Sequence, residues 1–327
     1  MVIHIVQPGE TIFSVARQYG VNPNILAVNN GVYGNRNLAI GQTLVIVFPL
    51  ITHVVRQGET LFSIAQQYGV SLIQLYRNNL VLEGSPLVFP GLELVIEIER
   101  EPIGEYMTGG YAYTNIDIPL LNTVLPFMGG LMPFTYGFEP DGSLVMLNDQ
   151  VLVERANVYG TAPVMHLSTL TEEGVFSEEL AANFLNSREL WEVLINNVLT
   201  VMRSRGYYGL DIDFEFLGAE NAAAYAEFVT YARETLNAQG YPVMVALAPK
   251  TSRTQPGVLY EGHDYRALGL AANAVLIMTY EWGYTYDHTC LCWFSFLFRE
   301  LWKYSEYKIV VESISSFIRF ALKVIRS

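Results

Sequence analysis

The chain has 327 residues, of which 51% are hydrophobic, and it carries a formal net charge of −13 at pH 7. Its length accommodates two or three folded domains, and its apolar content excludes a disordered protein. The acidic balance argues against nucleic acid and anionic membranes as partners, because phosphate binding needs clustered Lys and Arg. A neutral or cationic polymer, such as a polysaccharide, suits it better.

The sequence shows no signal for membrane insertion, secretion or metal binding. No apolar run reaches the length of about 18 residues that a transmembrane helix needs. The stretch "MVIHIVQPGET" lacks a basic start and a small-residue cleavage site, so we expect no classical signal peptide. Cys290 and Cys292 form a lone C-x-C pair, which predicts neither a disulfide framework nor a zinc site. We expect no metal and no cofactor.

The front of the chain holds a duplicated module. Residues 53–79 repeat the pattern of residues 4–30, with "HVVRQGETLFSIAQQYGV" matching "HIVQPGETIFSVARQYGV". Each copy has an alternating strand, a Gly-Glu-Thr turn, apolar residues at helical spacing and a closing strand. We predict two βααβ modules, at residues 1–49 and 51–98, in which Thr11 and Thr60 cap the first helices.

These runs resemble the LysM carbohydrate-binding module. The resemblance implies binding of N-acetylglucosamine in peptidoglycan or chitin, in a groove between the Gly-Glu-Thr turn and the loop before the last strand. The glycan-binding candidates are Gly9, Thr11, Ile12, Asn29, Gly58, Thr60, Leu61 and Asn78. Alternatively, Gly9 and Gly58 only serve the turn. The recurring His4 and His53 favour a shared packing role over catalysis.

A charged segment at residues 99–105 is the predicted linker to a domain at residues 106–327, in which strand-like and helix-like runs alternate. We predict strands at residues 108–113, 131–136, 163–168, 208–214, 242–247 and 274–280. We predict helices at residues 177–186, 187–205, 221–239 and 263–272. This order predicts an α/β fold of the (β/α)8 TIM-barrel type, with about six regular units and its site at the C-terminal strand ends.

The stretch "YYGLDIDFEFL" places acids at every second position among apolar residues. Because strand side chains alternate between two faces, Asp211, Asp213 and Glu215 share one face. In a barrel that face points into the mouth, where at least one carboxyl group should hold its proton near neutral pH. Such crowding gives folding no benefit and therefore predicts catalysis. The alternative is a solvated edge strand.

The same stretch resembles the D-G-x-D-x-D-x-E signature of the family 18 glycoside hydrolases, with Tyr208 in place of the outermost Asp. The resemblance implies retaining, substrate-assisted hydrolysis. Glu215 is the general acid and then activates water, while the substrate's 2-acetamido oxygen attacks C1. Asp213 holds the acetamide group, and Asp211 shares a proton with Asp213.

A second motif, "VLIMTYEWGY", resembles the sixth strand of that family. The resemblance implies that Met278 lines the site and that Tyr280 donates a hydrogen bond to the acetamide carbonyl. Glu281 and Trp282 follow as candidates for substrate binding. Tyr113, at the end of the first predicted strand of the domain, is a further candidate.

The resemblance stops after about residue 286. Residues 287–327 hold both cysteines and lack the expected seventh and eighth units. A TIM barrel usually has about 250 residues, so we expect an incomplete barrel that is open on one side. A frameshift or truncation is the hypothesis for this tail, which we expect to form a helix, a strand and a final helix; a native-like closed variant is the alternative.

Together the motifs predict a peptidoglycan hydrolase of the spore cortex, a retaining β-N-acetylglucosaminidase targeted by two LysM modules. The amino-acid sequence of the acid stretch is similar to that of the spore cortex-lytic N-acetylglucosaminidases of endospore-forming bacteria. We expect location in the spore coat, cortex or cell wall. The alternatives are a chitinase, a wall-binding protein without catalysis, and a structural spore-coat component. Endo or exo action and oligomeric state stay open.

Overall fold

The computed structural model describes residues 1–32, 37–99, 107–171, 177–250, 252 and 254–278, and the strands at 309–315 and 318–324. The chain divides into two compact units. The front unit contains Met1–Gly104 and Asp117–Phe127, and the barrel unit contains Glu105–Ile116 and Met128–Ser327. The segment Asp117–Phe127 thus groups with the front unit, whereas the predicted boundaries remain a sequence prediction.

The front unit contains the two predicted βααβ modules, each with its own small apolar core. The first module consists of β1 Val2–Ile5, α1 Ile12–Tyr19, α2 Pro23–Asn29 and β2 Thr43–Ile46. The second consists of β3 Pro49–Val54, α3 Leu61–Tyr68, α4 Leu72–Asn78 and β4 Glu93–Ile98. In each module the two strands pair antiparallel, as predicted.

Local chemistry sets both ends of the first helix of each module. Thr60 accepts a hydrogen bond from the Ser63 backbone N–H, and the Ser63 side chain accepts one from the Thr60 N–H, which forms a capping box. Gly69 ends α3 in the left-handed conformation with φ of 67°. Thr11, Ser14 and Gly20 repeat this arrangement around α1.

A buried histidine ties the turn of each module to its first helix. His53 Nε2 lies 2.8 Å from Glu59 Oε2, and its Nδ1 lies 3.1 Å from the Tyr68 hydroxyl. Glu59 Oε2 also accepts a hydrogen bond from the Arg56 N–H, and that bond together with His53 lowers the pKa of Glu59. His4 makes the equivalent contacts in the first module. The prediction of a shared packing role is confirmed.

A second polar anchor joins the second helix of each module to its last strand. The side chain of Asn79 donates to the carbonyl oxygens of Leu75 and Val95 and accepts from the Val95 N–H. Asn30 repeats the pattern in the first module. Because these groups satisfy backbone atoms at a helix end and in a strand, they fix the helix against the sheet.

The barrel unit contains six parallel strands of an α/β barrel. They are β5 Met107–Tyr113, β6 Gly130–Phe134, β9 Ala162–Ser168, β10 Gly209–Asp213, β11 Val243–Leu247 and β12 Ala274–Ile277. A short antiparallel pair, β7 Gly137–Phe138 and β8 Leu144–Val145, lies between β6 and β9 in the sequence. The six main strands match the sequence prediction within a few residues.

Helices follow the strands in the order that the sequence predicts, with three additions. The helices are α5 Ile118–Val124, α6 Gln150–Val158, α7 Glu178–Leu185, α8 Arg188–Arg205, α9 Ala222–Asn237, α10 Val258–Glu261 and α11 Tyr265–Ala271. Of these, α5, α6 and α10 were not predicted. None of the helices in the described part of the chain is both long and apolar enough to cross a membrane.

The tail differs from its prediction. β13 Ile309–Ser315 pairs parallel with β12, and β14 Ile318–Val324 pairs antiparallel with both β13 and β5. The sheet therefore closes in the order β10-β11-β12-β13-β14-β5-β6-β9. The prediction of an incomplete (β/α)8 barrel with about six regular units is confirmed, because the last two strands form a hairpin and not two further βα units. The expected opening on one side and the expected final helix are wrong, since this hairpin completes the ring. The frameshift hypothesis stays a prediction.

Strand alternation separates two apolar layers. Leu210, Ile212 and Phe214 pack in the large cluster that also contains the buried residues of α8 and α9, between the strands and the helices. The opposite face of the strands lines the barrel interior, where a smaller cluster includes Tyr111 and Met278. Side chains on this inner face are the ones available for a site.

A buried acid in this unit serves the fold. Asp149 is 0% exposed, accepts a hydrogen bond from Tyr136 at 2.6 Å and another from the Tyr207 hydroxyl, and forms an ion pair with Arg205. These partners join the start of α6 to β10 and the end of α8. Asp149 therefore shows how this barrel stabilises a carboxylate that has a purely structural role.

We predict that Asn79→Ala lowers the local unfolding free energy of the second module by about 1–3 kcal/mol, because it leaves the buried Val95 N–H without an acceptor. Amide hydrogen exchange in β4 of the full chain measures this loss. Gln67→Ala, an exposed position on α3, is the control and should change stability by less than about 0.5 kcal/mol. Equal exchange in the two variants would contradict the anchoring role.

Candidate active site

The acids of β10 lie where the alternation predicts. Asp211 and Asp213 belong to the inner face and are 0% and 4% exposed, respectively. Glu215 lies two residues beyond the end of the strand and is partly exposed. The acids thus run from the barrel interior towards its rim at the C-terminal strand ends. A solvated edge strand is excluded, because β10 pairs with β9 on one side and β11 on the other.

The two inner aspartates share a histidine partner. His166 of β9 is 0% exposed, and its Nδ1 lies 3.0 Å from Asp211 Oδ2. Its Nε2 lies 3.6 Å from Asp213 Oδ2. Tyr111 of β5 donates a hydrogen bond to the same Asp211 oxygen at 2.6 Å. Asp211 Oδ2 therefore has polar partners on two other strands, β5 and β9.

All three carboxylates raise the pKa of one group, the Tyr225 hydroxyl. The pKa of the buried Tyr225 hydroxyl is raised well above its usual value, first by burial and then by the negative charges of Asp213, Asp211 and Glu215. The pKa of Tyr225 thus responds to all three acids. Their convergence on one catalytic spot stays a prediction.

Aromatic side chains border the acids. Tyr113, at the end of β5, is 58% exposed and meets Phe134 edge-on with ring centroids 5.3 Å apart. Phe134 in turn stacks on His166 at 5.0 Å. Met278 lies in the inner cluster just after β12. The predicted candidates Tyr113 and Met278 are thus both at the C-terminal strand ends.

Three of the predicted site residues, Tyr280, Glu281 and Trp282, lie outside the described residues. Sequence reasoning missed Tyr111 and His166. The signal for His166 was its position on a strand, where alternation points its side chain into the barrel. In the register it lies directly opposite Asp211. A single histidine in an apolar strand is not distinctive without that register.

The glycan candidates of the modules surround the Gly-Glu-Thr turns. Gly9 and Gly58 are exposed with φ of 83° and 85°, a conformation that itself requires glycine. Thr11 and Thr60 are the helix caps described above, while Ile12 and Asn29 are partly exposed. The side chain of Leu61 is 1% exposed in the module core and is therefore not available to a glycan. Asn78 donates a hydrogen bond to the Ile96 carbonyl.

Models of two known families match segments of the front unit and of the barrel unit. The model of the LysM domain matches residues 4–47 and 53–97. The model described as Glycosyl hydrolases family 18 matches residues 176–291, which include all three acids. A cortical fragment-lytic enzyme of Bacillus subtilis (strain 168) is 32% identical over 299 residues, covering 87% of this chain and 67% of that relative. The chain belongs to family 18 of the glycosyl hydrolases.

Further relatives match most of this chain. A cortical fragment-lytic enzyme of Bacillus anthracis is 31% identical over 297 residues, covering 85% of this chain and 65% of that relative. The crystal structure of the Bacillus megaterium QM B1551 spore cortex-lytic enzyme SleL is similar, with a TM-score of 0.69 and 29% identity over 94% of this chain and 73% of that chain. The chain spans about two thirds of the length of the curated relatives.

A second buried histidine lies behind the acid strand of this family 18 barrel. His263 is 0% exposed, accepts a hydrogen bond from the Ala248 N–H at 3.0 Å and donates one to the Phe214 carbonyl at 2.9 Å. Burial, with a smaller contribution from the nearby Lys250, lowers the pKa of His263 from 6.5 to about 4, although the hydrogen bond to the Phe214 carbonyl acts in the opposite direction. The ring is therefore neutral at pH 7.

We predict that the barrel unit loses stability as the pH falls from 6.5 towards 4. Between these pH values, His263 binds a proton in the unfolded chain but not in the folded chain. This difference lowers the unfolding free energy by up to about 3 kcal/mol. Urea unfolding followed by Trp fluorescence reports this unit, because the chain's Trp residues all lie downstream of residue 106. His263→Gln should lack this component, so an identical pH slope in the variant would contradict the assignment.

Proposed function

We propose that this chain is a glycoside hydrolase that cleaves polymers containing N-acetylglucosamine, and that its substrate is peptidoglycan. The observation that carries the proposal is the set of acids on β10 at the rim of a family 18 barrel, with Asp211 and Asp213 joined through His166. Membership in the family supports hydrolysis of a glycosidic bond, and the acids supply the groups that this reaction needs.

The proposed reaction uses the substrate as its own nucleophile. Glu215 is partly exposed and protonates the glycosidic oxygen while the 2-acetamido oxygen attacks C1. The C1–O bond to the leaving sugar breaks, and an oxazolinium ion forms. Glu215 then removes a proton from water, which attacks C1 from the side of the departed sugar. Two inversions at C1 give a product with retained configuration.

Asp213 holds the acetamide N–H during the first step. Asp211 accepts a hydrogen bond from Tyr111 and lies 3.0 Å from His166 Nδ1, and these contacts fix its carboxylate on the inner face beside Asp213. His166 Nε2 lies 3.6 Å from Asp213 Oδ2, so the histidine faces both aspartates. Turning Asp213 towards the substrate then places its negative charge next to the developing oxazolinium ion.

The modules supply attachment to the polymer in this proposal. Phe13 and Phe62 are 66% and 63% exposed at matching positions, two residues after the capping threonines of the predicted glycan groove. Aromatic rings stack on the apolar faces of sugars, so exposed rings beside the turn suit a glycan. Two modules on one chain raise the effective concentration of the barrel at the polymer.

Peptidoglycan is preferred over chitin because of the relatives' functions. Relatives that match most of this chain are described as cortical fragment-lytic and spore cortex-lytic enzymes. Those words place them at the spore cortex, and we propose the same location, in the spore or the cell wall, for this chain. Chitin carries the same N-acetyl group and remains the alternative substrate. A wall-binding protein without turnover remains the alternative function, which the departure of the β13–β14 hairpin from parallel order favours.

We predict that Glu215→Gln lowers kcat on peptidoglycan fragments and on N-acetylglucosamine oligomers by about 10²–10⁴-fold, because a general acid is lost while the shape is kept. Release of reducing ends measures turnover. Glu220→Gln makes the same chemical change at an exposed acid five positions later and should leave kcat unchanged. Equal rates for wild type and Glu215→Gln would remove Glu215 from the reaction, and sedimentation with peptidoglycan without any turnover would support the binding protein.

We predict that Phe13→Ser together with Phe62→Ser weakens co-sedimentation with peptidoglycan at least about tenfold, by the loss of stacking on sugars. The variant should keep its kcat on short soluble oligomers, which need no anchoring. Val158→Ser, an exposed apolar position on α6 of the barrel unit, is the control for a change in surface hydrophobicity. Unaltered sedimentation of the double variant would exclude the two rings from glycan binding.

A further inference from the structure

Glu215 lies beyond the hydrogen bonds of the barrel sheet. The register of β10 ends with Ile212 opposite Val245 on β11 and with Asp213 opposite Ser168 on β9. Phe216, the residue after Glu215, has φ of 57°, so the chain turns sharply away from the strand direction there. A side chain in this segment cannot take its position from strand pairing and must be held in another way.

The peptide group directly before Glu215 is held by His263. The Phe214 carbonyl oxygen, which belongs to that peptide bond, accepts a hydrogen bond from His263 Nε2 at 2.9 Å. The other ring nitrogen, Nδ1, accepts from the Ala248 N–H at 3.0 Å. A backbone N–H can only donate and a carbonyl can only accept, so these two partners fix the tautomer of His263. The ring therefore links the end of β10 to the end of β11.

The residue next to His263 holds the other side of the same segment. A Cβ on Gly262 would lie 2.3 Å from Leu217 Cβ and 2.6 Å from the Leu217 carbonyl oxygen. The φ of Gly262 is −71°, which any residue adopts, so glycine is required there by the close approach and not by conformation. The loop at residues 262–263 thus contacts the chain immediately before and two residues after Glu215.

The Phe214 side chain packs against helix α9. Its ring stacks on Tyr225 at 5.6 Å with an interplanar angle of 7° and on Phe228 at 5.5 Å. The Phe214 N–H faces the Tyr225 hydroxyl at 3.4 Å. The loop of His263 is itself anchored, because Lys250 Nζ donates to the His263 carbonyl at 2.7 Å. Backbone and side chain of Phe214 are therefore both immobilised.

We propose that His263 and Gly262 are positioning residues for Glu215, which hold residues 214–217 at both ends so that the acid keeps one place at the rim while it gives up and recovers a proton. The inference rests on the role proposed above for Glu215. Neither residue touches the substrate; both act through the backbone that carries the acid. A displacement of about 1 Å at a reacting group lowers rates by about 10²-fold.

Turnover of N-acetylglucosamine oligomers tests the proposal through the separation of kcat and KM. Gly262→Ala pushes Leu217 away and should lower kcat per folded molecule by about 10²-fold, with KM within about threefold. Gly209→Ala is the matched control: its Cβ would lie 2.7 Å from the Pro242 carbonyl oxygen, at the opposite end of β10 from Glu215. The control should lose thermal stability and keep its kcat.

Substitution of the histidine gives a graded series. His263→Phe removes both hydrogen bonds and should lower kcat as Gly262→Ala does. His263→Gln keeps one donor and one acceptor and should recover part of the loss. If the Gly262 and His263 variants lose stability while kcat per folded molecule stays within twofold of wild type, the two residues are only structural. An equal kcat loss in Gly209→Ala would also overturn the proposal.

Amide hydrogen exchange decides the question without turnover. In Gly262→Ala and His263→Phe, exchange at residues 215–217 should accelerate at least tenfold relative to residues 210–212 of β10, whereas Gly209→Ala should not show this difference. Unchanged exchange at 215–217 would refute the clamp whatever the activity. Equal turnover by wild type and Glu215→Gln, with accelerated exchange in the clamp variants, would refute the role of the acid and leave the clamp established.

Discussion

The chemistry of this barrel depends on how it stabilises carboxylates away from water. Moving a carboxylate into a protein interior costs several kcal/mol unless a partner compensates. Asp149 is compensated by Arg205, which stays positively charged at every accessible pH, and by two tyrosine hydroxyls. Asp211 is held by the Tyr111 hydroxyl and by the His166 ring. The first acid is thus paired with a permanent positive charge, whereas the second is held by a hydroxyl group and an imidazole on the inner face of the barrel, where the candidate site lies.

The front modules solve a different problem, which is their small size. A unit of roughly 45 residues buries too little apolar surface to be rigid through its core alone. The His53–Glu59–Tyr68 contacts and the Asn79 anchor supply specific polar links between turn, helix and strand. The His53–Glu59 contact holds the Gly-Glu-Thr turn from the inside, whereas Asn79 holds α4 against β4. Order of this kind before binding would reduce the entropy lost when a glycan binds in the groove proposed at this turn.

The sequence predicts the features that depend on local period and on repetition. The doubled module and the inward face of Asp211 and Asp213 follow from patterns within a few residues, and both are found in the structure. His166 and His263 could not be predicted, because their partners lie 45 and 49 residues away along the chain. The closing hairpin also escaped prediction, since β14 is specified by pairing with β5 at the other end of the domain. Contacts between segments that are distant along the chain produce no periodic pattern in the amino-acid sequence.

In the closed sheet, the strand that carries the acids and the antiparallel β13–β14 hairpin lie far apart. β10 lies between β9 and β11, which carry His166 and Ala248, the anchor of His263; the β13–β14 hairpin lies on the opposite side of the ring. His166 and the Ala248 anchor therefore belong to β9 and the end of β11, strands that do not pair with the hairpin. Tyr111 and Met278 belong to β5 and the end of β12, the two strands that do pair with the hairpin. The hairpin therefore reaches the acids only through β5, where Arg319 pairs with Tyr111 and the Tyr111 hydroxyl donates a hydrogen bond to Asp211.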